Sequence, residues 1–298
     1  MAAREKSLIV VTALSVLIAC GANPGGPPAQ TDEVRVARRI ISLVPALTEM
    51  LFAIEAGPQV IAVSSFDNYP PETKALPRVG ALLDPDVERI LALRPDLVLT
   101  YGSQGSLEAQ LASAGIRTFS YRHGGIQAIF ETMRELGVLT GHTATALNKV
   151  NELEAQLDTV KVKVRDRSRP RTLLVFGRQP GSLQQVYVSG GTGFLHEMLE
   201  AAGGDNVFAD IARESVQPSQ ETLITRAPDV ILEVSATLQL SAVDAARERA
   251  VWSPLASVPA VKTGRIHFLF GDYLVVPGPR VGLAAETFAR TLHPDAFQ

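Results

Sequence analysis

The sequence predicts an α/β protein: two α/β lobes with mainly parallel sheets, joined by one long α-helix, with a ligand cleft between the lobes. Three observations predict it. Apolar, β-rich runs alternate with helical stretches over short connections on both sides of residues 142–167. That middle stretch holds neither Gly nor Pro, and Val150, Leu153, Leu157, Val160 and Val164 recur along it at heptad-like spacing. The second half also repeats the design of the first, in the same order.

The chain has 298 residues, 46% of them hydrophobic, with a formal net charge of −3. That is enough material for two ordinary domains with real cores. No basic run is dense enough to track phosphates, so nucleic acid is excluded as a partner. The single cysteine, Cys20, excludes a disulfide framework, a Cys-built zinc site and a dithiol redox motif.

Residues 1–19 read as a signal peptide. Arg4 and Lys6 precede thirteen uncharged residues, Ser7 to Ala19, short of the roughly 20 that cross a bilayer as a helix. The run ends in Leu17-Ile18-Ala19-Cys20, which looks like a bacterial lipobox, with Cys20 as the lipidation site. Residues 20–33 then form a flexible tether rich in Gly and Pro, with nothing to bury. An exported, extracytoplasmic lipoprotein, anchored to the membrane through Cys20, is the expectation.

The N-terminal lobe spans residues 34–141. Ile40 to Val44 is a strand, followed by a helix from an N-cap at Thr48 to Glu55, with Gly57 as its C-cap. Val60 to Ser64 is a strand, and Asp67-Asn68-Tyr69-Pro70-Pro71 turns the chain. Helix Asp86–Leu93, strand Leu97–Leu99, helix Ser106–Ala114, strand Arg117–Tyr121 and helix Ile126–Leu139 complete the lobe. The linking helix covers residues 142–168; at 1.5 Å per residue its Gly- and Pro-free part is about 38 Å long, too few heptads for a coiled coil.

The C-terminal lobe spans residues 169–298. Strands are expected over Thr172–Phe176, Val230–Val234 and Arg265–Phe270, and helices over Gly193–Ala202, Glu221–Arg226, Ala242–Arg249 and Val281–Leu292. Glu88 stands seven residues before Pro95-Asp96, and Glu221 seven before Pro228-Asp229, each with a helix before and an apolar strand after. Glu49 to Gly57 likewise resembles Leu195 to Gly203. Two such lobes enclose a cleft, and open parallel sheets bind ligands beyond their strand C-termini.

The scarce aromatics gather at those strand ends: Phe66, Tyr101, Tyr121, Phe176 and Tyr273, with Asp272 beside the last. Aromatic walls suit a large, flat or macrocyclic ligand. Packing in the core is the competing reading, evenly matched for Phe176 and weaker for Tyr101. Little here points to chemistry. His196-Glu197 lacks the second His of a zinc protease helix. Gly190-Gly191-Thr192-Gly193 lacks the spacing of a dinucleotide loop, and Ser219 reads as an N-cap rather than a nucleophile. No catalytic residue, intrinsic cofactor or metal centre is expected, and an α/β hydrolase-like enzyme is disfavoured. Glu88 and Glu221 open equivalent helices, where the dipole favours a carboxylate. One such group per lobe also suits docking onto a two-fold partner with basic pockets.

The sequence resembles the helix-linked periplasmic solute-binding proteins of ABC importers for cobalamin, ferric siderophores and haem, over about Val34 to Leu292. The resemblance rests on Ser42-Leu43-Val44-Pro45-Ala46-Leu47-Thr48-Glu49, Ser64-Ser65-Phe66-Asp67-Asn68-Tyr69-Pro70-Pro71-Glu72, Leu76-Pro77-Arg78-Val79-Gly80, the two Glu…Pro-Asp segments and Gly278-Pro279-Arg280. It implies a rigid, monomeric, non-enzymatic protein that captures a metal chelate. It also implies delivery to a permease dimer with its ATPase subunits, through Glu88 and Glu221. The cobalamin subgroup is the nearest, and its ligand contacts map to Phe66, Leu82, Tyr101, Phe176, Ser215, Asp272 and Tyr273. Leu82 and Ser215 stand where that subgroup carries large aromatics, so a precursor corrinoid, a siderophore or haem stays open. Haem wants an axial Tyr or His, for which Tyr101, Tyr273 or His123 qualify. An anionic siderophore wants Arg or Lys, and Arg122, Arg178 and Arg280 are the candidates. A ligand-sensing module for a membrane receptor is the alternative of another class.

Overall fold

A computed structural model describes residues 35–122, 124–236 and 240–298. The predicted signal peptide, tether and Cys20 lie outside the described residues, as does His123. The N lobe comprises β1 (Ile40–Ser42), α1 (Pro45–Ala53), β2 (Val60–Val63), α2 (Val87–Ala92), β3 (Leu97–Tyr101), α3 (Gly105–Ser113), β4 (Arg117–Tyr121) and α4 (Ile126–Thr140). Its four strands are all parallel, in the order β2-β1-β3-β4. Parallel neighbours need crossover connections, which the helices supply.

α1 starts earlier than the sequence predicts. Pro45 takes the first turn, where its missing N–H costs nothing. Thr48 is therefore an interior residue rather than a cap, buried with its hydroxyl donating to the Val44 carbonyl at 3.4 Å. The left-handed residue after the helix is Glu55, at φ 66°, and Gly57 instead begins a short 3₁₀ turn.

Gly141, at φ 77°, ends α4 and redirects the chain into α5 (Thr143–Val164). Val150, Leu153, Leu157, Val160 and Val164 are all buried. They share one core with Leu47 and Met50 of the N lobe and with Leu174 and Phe288 of the other lobe. The lobes thus rest on a common apolar seam, and separating them would expose it to water.

The C lobe follows with β5 (Arg171–Gly177), β6 (Tyr187–Ser189), α6 (Phe194–Ala201), β7 (Asp205–Asn206), β8 (Ser215–Val216), α7 (Gln220–Arg226), β9 (Val230–Ser235), α8 (Ala242–Ala250), α9 (Pro259–Lys262), β10 (Ile266–Phe270) and α10 (Val281–Leu292). Its sheet runs β10-β9-β5-β6-β8, with β7 added on β5. β10, β9 and β5 are parallel, whereas β6 and β8 pair antiparallel. Those short strands escaped the sequence reading because two or three residues carry no period.

The internal repeat holds at the level of single hydrogen bonds. Asp96 accepts the backbone N–H groups of Arg38 and Arg39, and Asp229 accepts that of Arg171. The Arg39 and Arg171 side chains return to the carbonyls of Leu93 and Arg226 at 2.7 and 2.6 Å. In both copies the residue before Pro-Asp is left-handed without being glycine: Arg94 at φ 47° and Ala227 at φ 46°. Pro-Asp therefore ends a helix and pins it to the start of the neighbouring strand.

Candidate functional site

The C-terminal ends of the parallel strands open onto the cleft. On the C-lobe side a cavity of about 460 Å³ is lined by Phe176, Thr192, Phe194, Glu214, Ser215 and Val275, among others. Phe176 is the penultimate residue of β5, half-buried, and packs on the common core while lining this cavity. It therefore packs in the core, as the competing reading from the sequence has it, and still presents a face to the cavity. Ser215 lies exposed on β8 beside Glu214.

From the N lobe, Tyr101 closes β3, and its ring meets Tyr121 edge to face, centroids 6.1 Å apart. Burial and then the charge of Glu214 push the Tyr101 hydroxyl above its ordinary pKa. Glu214 itself lines the C-lobe cavity, so a C-lobe carboxylate acts electrostatically on an N-lobe tyrosine. Tyr121 is buried, a core residue whose hydroxyl is pushed up by burial, then by Tyr101 and Glu214.

The N-lobe rim carries Phe66, 68% exposed, and Leu82. Arg78 explains the Leu-Pro-Arg motif. Its guanidinium donates to the carbonyls of Ser64, Asp67 and Thr73 at 2.9, 2.7 and 3.2 Å, clamping the loop that presents Phe66 and Tyr69. Gln104 holds the next loop, donating to the Leu82 carbonyl at 3.0 Å while its own carbonyl accepts the Tyr101 N–H. Asp67 is fully buried, and neither carboxylate oxygen finds a donor in bonding geometry among the described residues. Burial pushes its carboxyl above the usual range, opposed by the nearby Thr48 and Ser64 hydroxyls and by Arg78.

Asp272 and Tyr273 sit where the lobes join. Asp272 accepts from Arg280 Nη1 at 2.7 Å, and Arg280 Nε donates to Glu49 Oε2 of the N lobe at 2.8 Å. The Tyr69 ring covers the Arg280 guanidinium at 4.0 Å, within cation–π range. Arg178 is likewise committed: its side chain is 6% exposed and pairs with Glu233 and Glu248. Of the three arginines named for an anionic ligand, only the exposed Arg122 is outside such a pair among the described residues. Glu88 and Glu221 occupy the first turns of α2 and α7, exposed, behind the N-caps Asp86 and Ser219. Ser219 is the N-cap its sequence position predicts.

Sequence reasoning missed Glu214, which no motif marks. It also left the partners of Glu49 and Arg280 unassigned, although both residues lie in segments that carried the resemblance. Among the described residues no three His, Cys, Asp or Glu side chains gather as around a metal ion, and no helix is long and apolar enough to cross a membrane.

Two helix-joined α/β lobes around a cleft define a solute-binding protein. The chain matches the family model described as "Periplasmic binding protein" over residues 40–273, and it belongs to that family. The vitamin B12-binding protein of Yersinia pestis (strain Pestoides F) is 30% identical over 264 residues, covering 88% of this chain and 89% of the relative. The apo periplasmic heme-binding protein RhuT from Roseiflexus sp. RS-1 is 27% identical, with TM-score 0.71 over 88% of this chain and 100% of that one. The periplasmic vitamin B12-binding protein BtuF of Vibrio cholerae shares the fold at TM-score 0.72 and 24% identity, over 88% and 98% of the two chains.

Proposed function

We propose that this protein is the lipid-anchored substrate-binding component of an ABC importer, carrying cobalamin or a related corrinoid. The observation that carries the reading is the charge state of the cleft. Arg178 and Arg280 are neutralised by Glu233, Glu248, Glu49 and Asp272, while Glu214 faces the cavity. An anionic chelate would meet few free cations there and at least one carboxylate. A neutral or cationic macrocycle with amide arms instead stacks on Phe176 and Tyr101 and donates hydrogen bonds to Glu214. The likeness to vitamin B12-binding proteins supports the same choice. Haem is the second reading, favoured by Tyr101 at the cleft and by the likeness to RhuT.

Co-elution on gel filtration tests it: the protein is mixed separately with cyanocobalamin, hemin and a panel of ferric siderophores. Retention of cyanocobalamin is expected; retention of hemin or a siderophore alone overturns the corrinoid reading. Delivery to a permease through Glu88 and Glu221 is tested with the Glu88→Ala/Glu221→Ala double variant. It keeps ligand binding and loses uptake; unchanged uptake removes the docking role.

A further inference from the structure

Two glutamates, one of them the Arg280 partner Glu49, occupy equivalent places in the two lobes. α1 carries Glu49-Met50-Leu51-Phe52-Ala53 and α6 carries Glu197-Met198-Leu199-Glu200-Ala201. In both, the Met and Leu are completely buried in the common core. The preceding glutamate is thereby aimed in the same sense from each helix.

Each reaches across to the other lobe. Glu197 Oε2 accepts the backbone N–H of Ile126 at 2.6 Å, at the first residue of α4. Glu49 accepts from Arg280, the N-cap residue of α10. α4 is the last helix of the N lobe and α10 the last long helix of the C lobe. Glu197 takes a free N–H at the positive end of α4, whereas Glu49 takes the side-chain guanidinium of the α10 N-cap residue; both bonds are charge-assisted. Within each lobe the same helices already pack together, α1 on α4 and α6 on α10. The arrangement is reciprocal, with each lobe's glutamate on the other lobe's final helix. Gly125 belongs to it, because a Cβ at that position would overlap the Glu197 carboxylate.

We propose that Glu49 and Glu197 are paired interlobe latches, positioning residues that set the width of the cleft before any ligand arrives. The inference holds whatever the cleft binds. A latch at the start of both final helices resists opening and twisting together, which one contact alone does not.

The test uses the full chain with Cys20→Ser and spin labels on cysteines introduced at Leu83 and Val243, exposed residues of opposite lobes. Pulsed dipolar spectroscopy reads the distance distribution between them. Glu49→Ala and Glu197→Ala each broaden it, and the double variant broadens it further. Glu197→Gln keeps an oxygen acceptor for Ile126 and keeps the distribution narrow. Gly125→Ala reproduces Glu197→Ala without touching the glutamate. Exchange of the Ile126 amide accelerates about ten- to hundred-fold in Glu197→Ala, as expected for losing a bond to a charged acceptor. An unchanged distribution in Glu197→Ala or Glu49→Ala overturns the proposal. Where Glu49→Ala fails to fold, Glu49→Gln replaces it, since Arg280 needs the charge, and an unchanged distribution there overturns it equally.

Discussion

Arg178 Nε lies 2.7 Å from Glu233 Oε2, and the same guanidinium reaches Glu248 at 2.6 Å. Trp252 completes the cluster by donating to Glu233 Oε1 at 2.7 Å. Side-chain exposures of 6%, 12% and 19% for Arg178, Glu233 and Glu248 put this network largely out of water. Arg178→Ala leaves two largely desolvated carboxylates without a cation, a change that costs about 2–4 kcal/mol once partial exposure is allowed for. Urea titration of the variant checks it: a midpoint equal to the parent's would show that the pair contributes little.

Asp67 governs an acid-side pH dependence. Burial holds its folded pKa above the ordinary carboxylate range, so the folded state holds this proton more tightly than the unfolded one. The resulting stability is present below the unfolded pKa and is lost as pH rises through the raised folded value. Asp67→Asn removes that loss. The variant is expected to melt higher than the parent at neutral pH, with the difference shrinking as pH falls toward the unfolded value. Melting curves across that range decide it, and a parallel pH profile in parent and variant rules the assignment out.

Ala227 ends α7 at φ 46°, ψ 61°, a left-handed conformation that costs a residue with a Cβ roughly 1–2 kcal/mol. Ala227→Gly relieves it while adding unfolded-chain entropy, for a net gain of about 1 kcal/mol. In a chain of this size that raises Tm by about 1–2 °C. Calorimetry reads the shift, and a lower Tm would contradict the argument.

Ser215 lines the cavity and Leu82 stands on the opposite rim, 38% exposed. Tryptophan at either position adds an aromatic wall. Each of Ser215→Trp and Leu82→Trp is expected to tighten cyanocobalamin binding about two- to ten-fold. Titration calorimetry measures it; weaker binding in both would place the ligand's flat face elsewhere.

Much of the scaffold was legible because its signals are local. β4 and α10 run over the predicted residues, and the five apolar positions of α5 are all buried, joined by Ala146. Asp86 and Ser219 cap α2 and α7 through their own third-residue amides. The start of α1 was misplaced because Pro45, a break in many contexts, is tolerated at a helix's first turn. β6, β7 and β8 were too short to show a pattern. Within the site, the aromatics were found from their position after apolar runs, whereas the commitments of Arg178, Arg280 and Asp272 were not.

By itself the sequence determined the two-lobed α/β plan, the linking helix, the repeated Pro-Asp break between helix and strand, and the aromatic strand ends. Each depends on periodicity or on residues a few positions apart. Only the tertiary structure decided which charges the cleft keeps. Arg178 meets its partners 55 and 70 positions away, Glu197 meets Ile126 across 71, and Arg280 meets Glu49 across 231. A charged side chain's role is set by which opposite charge or free N–H the fold brings within bonding distance, and local sequence holds no record of that distance.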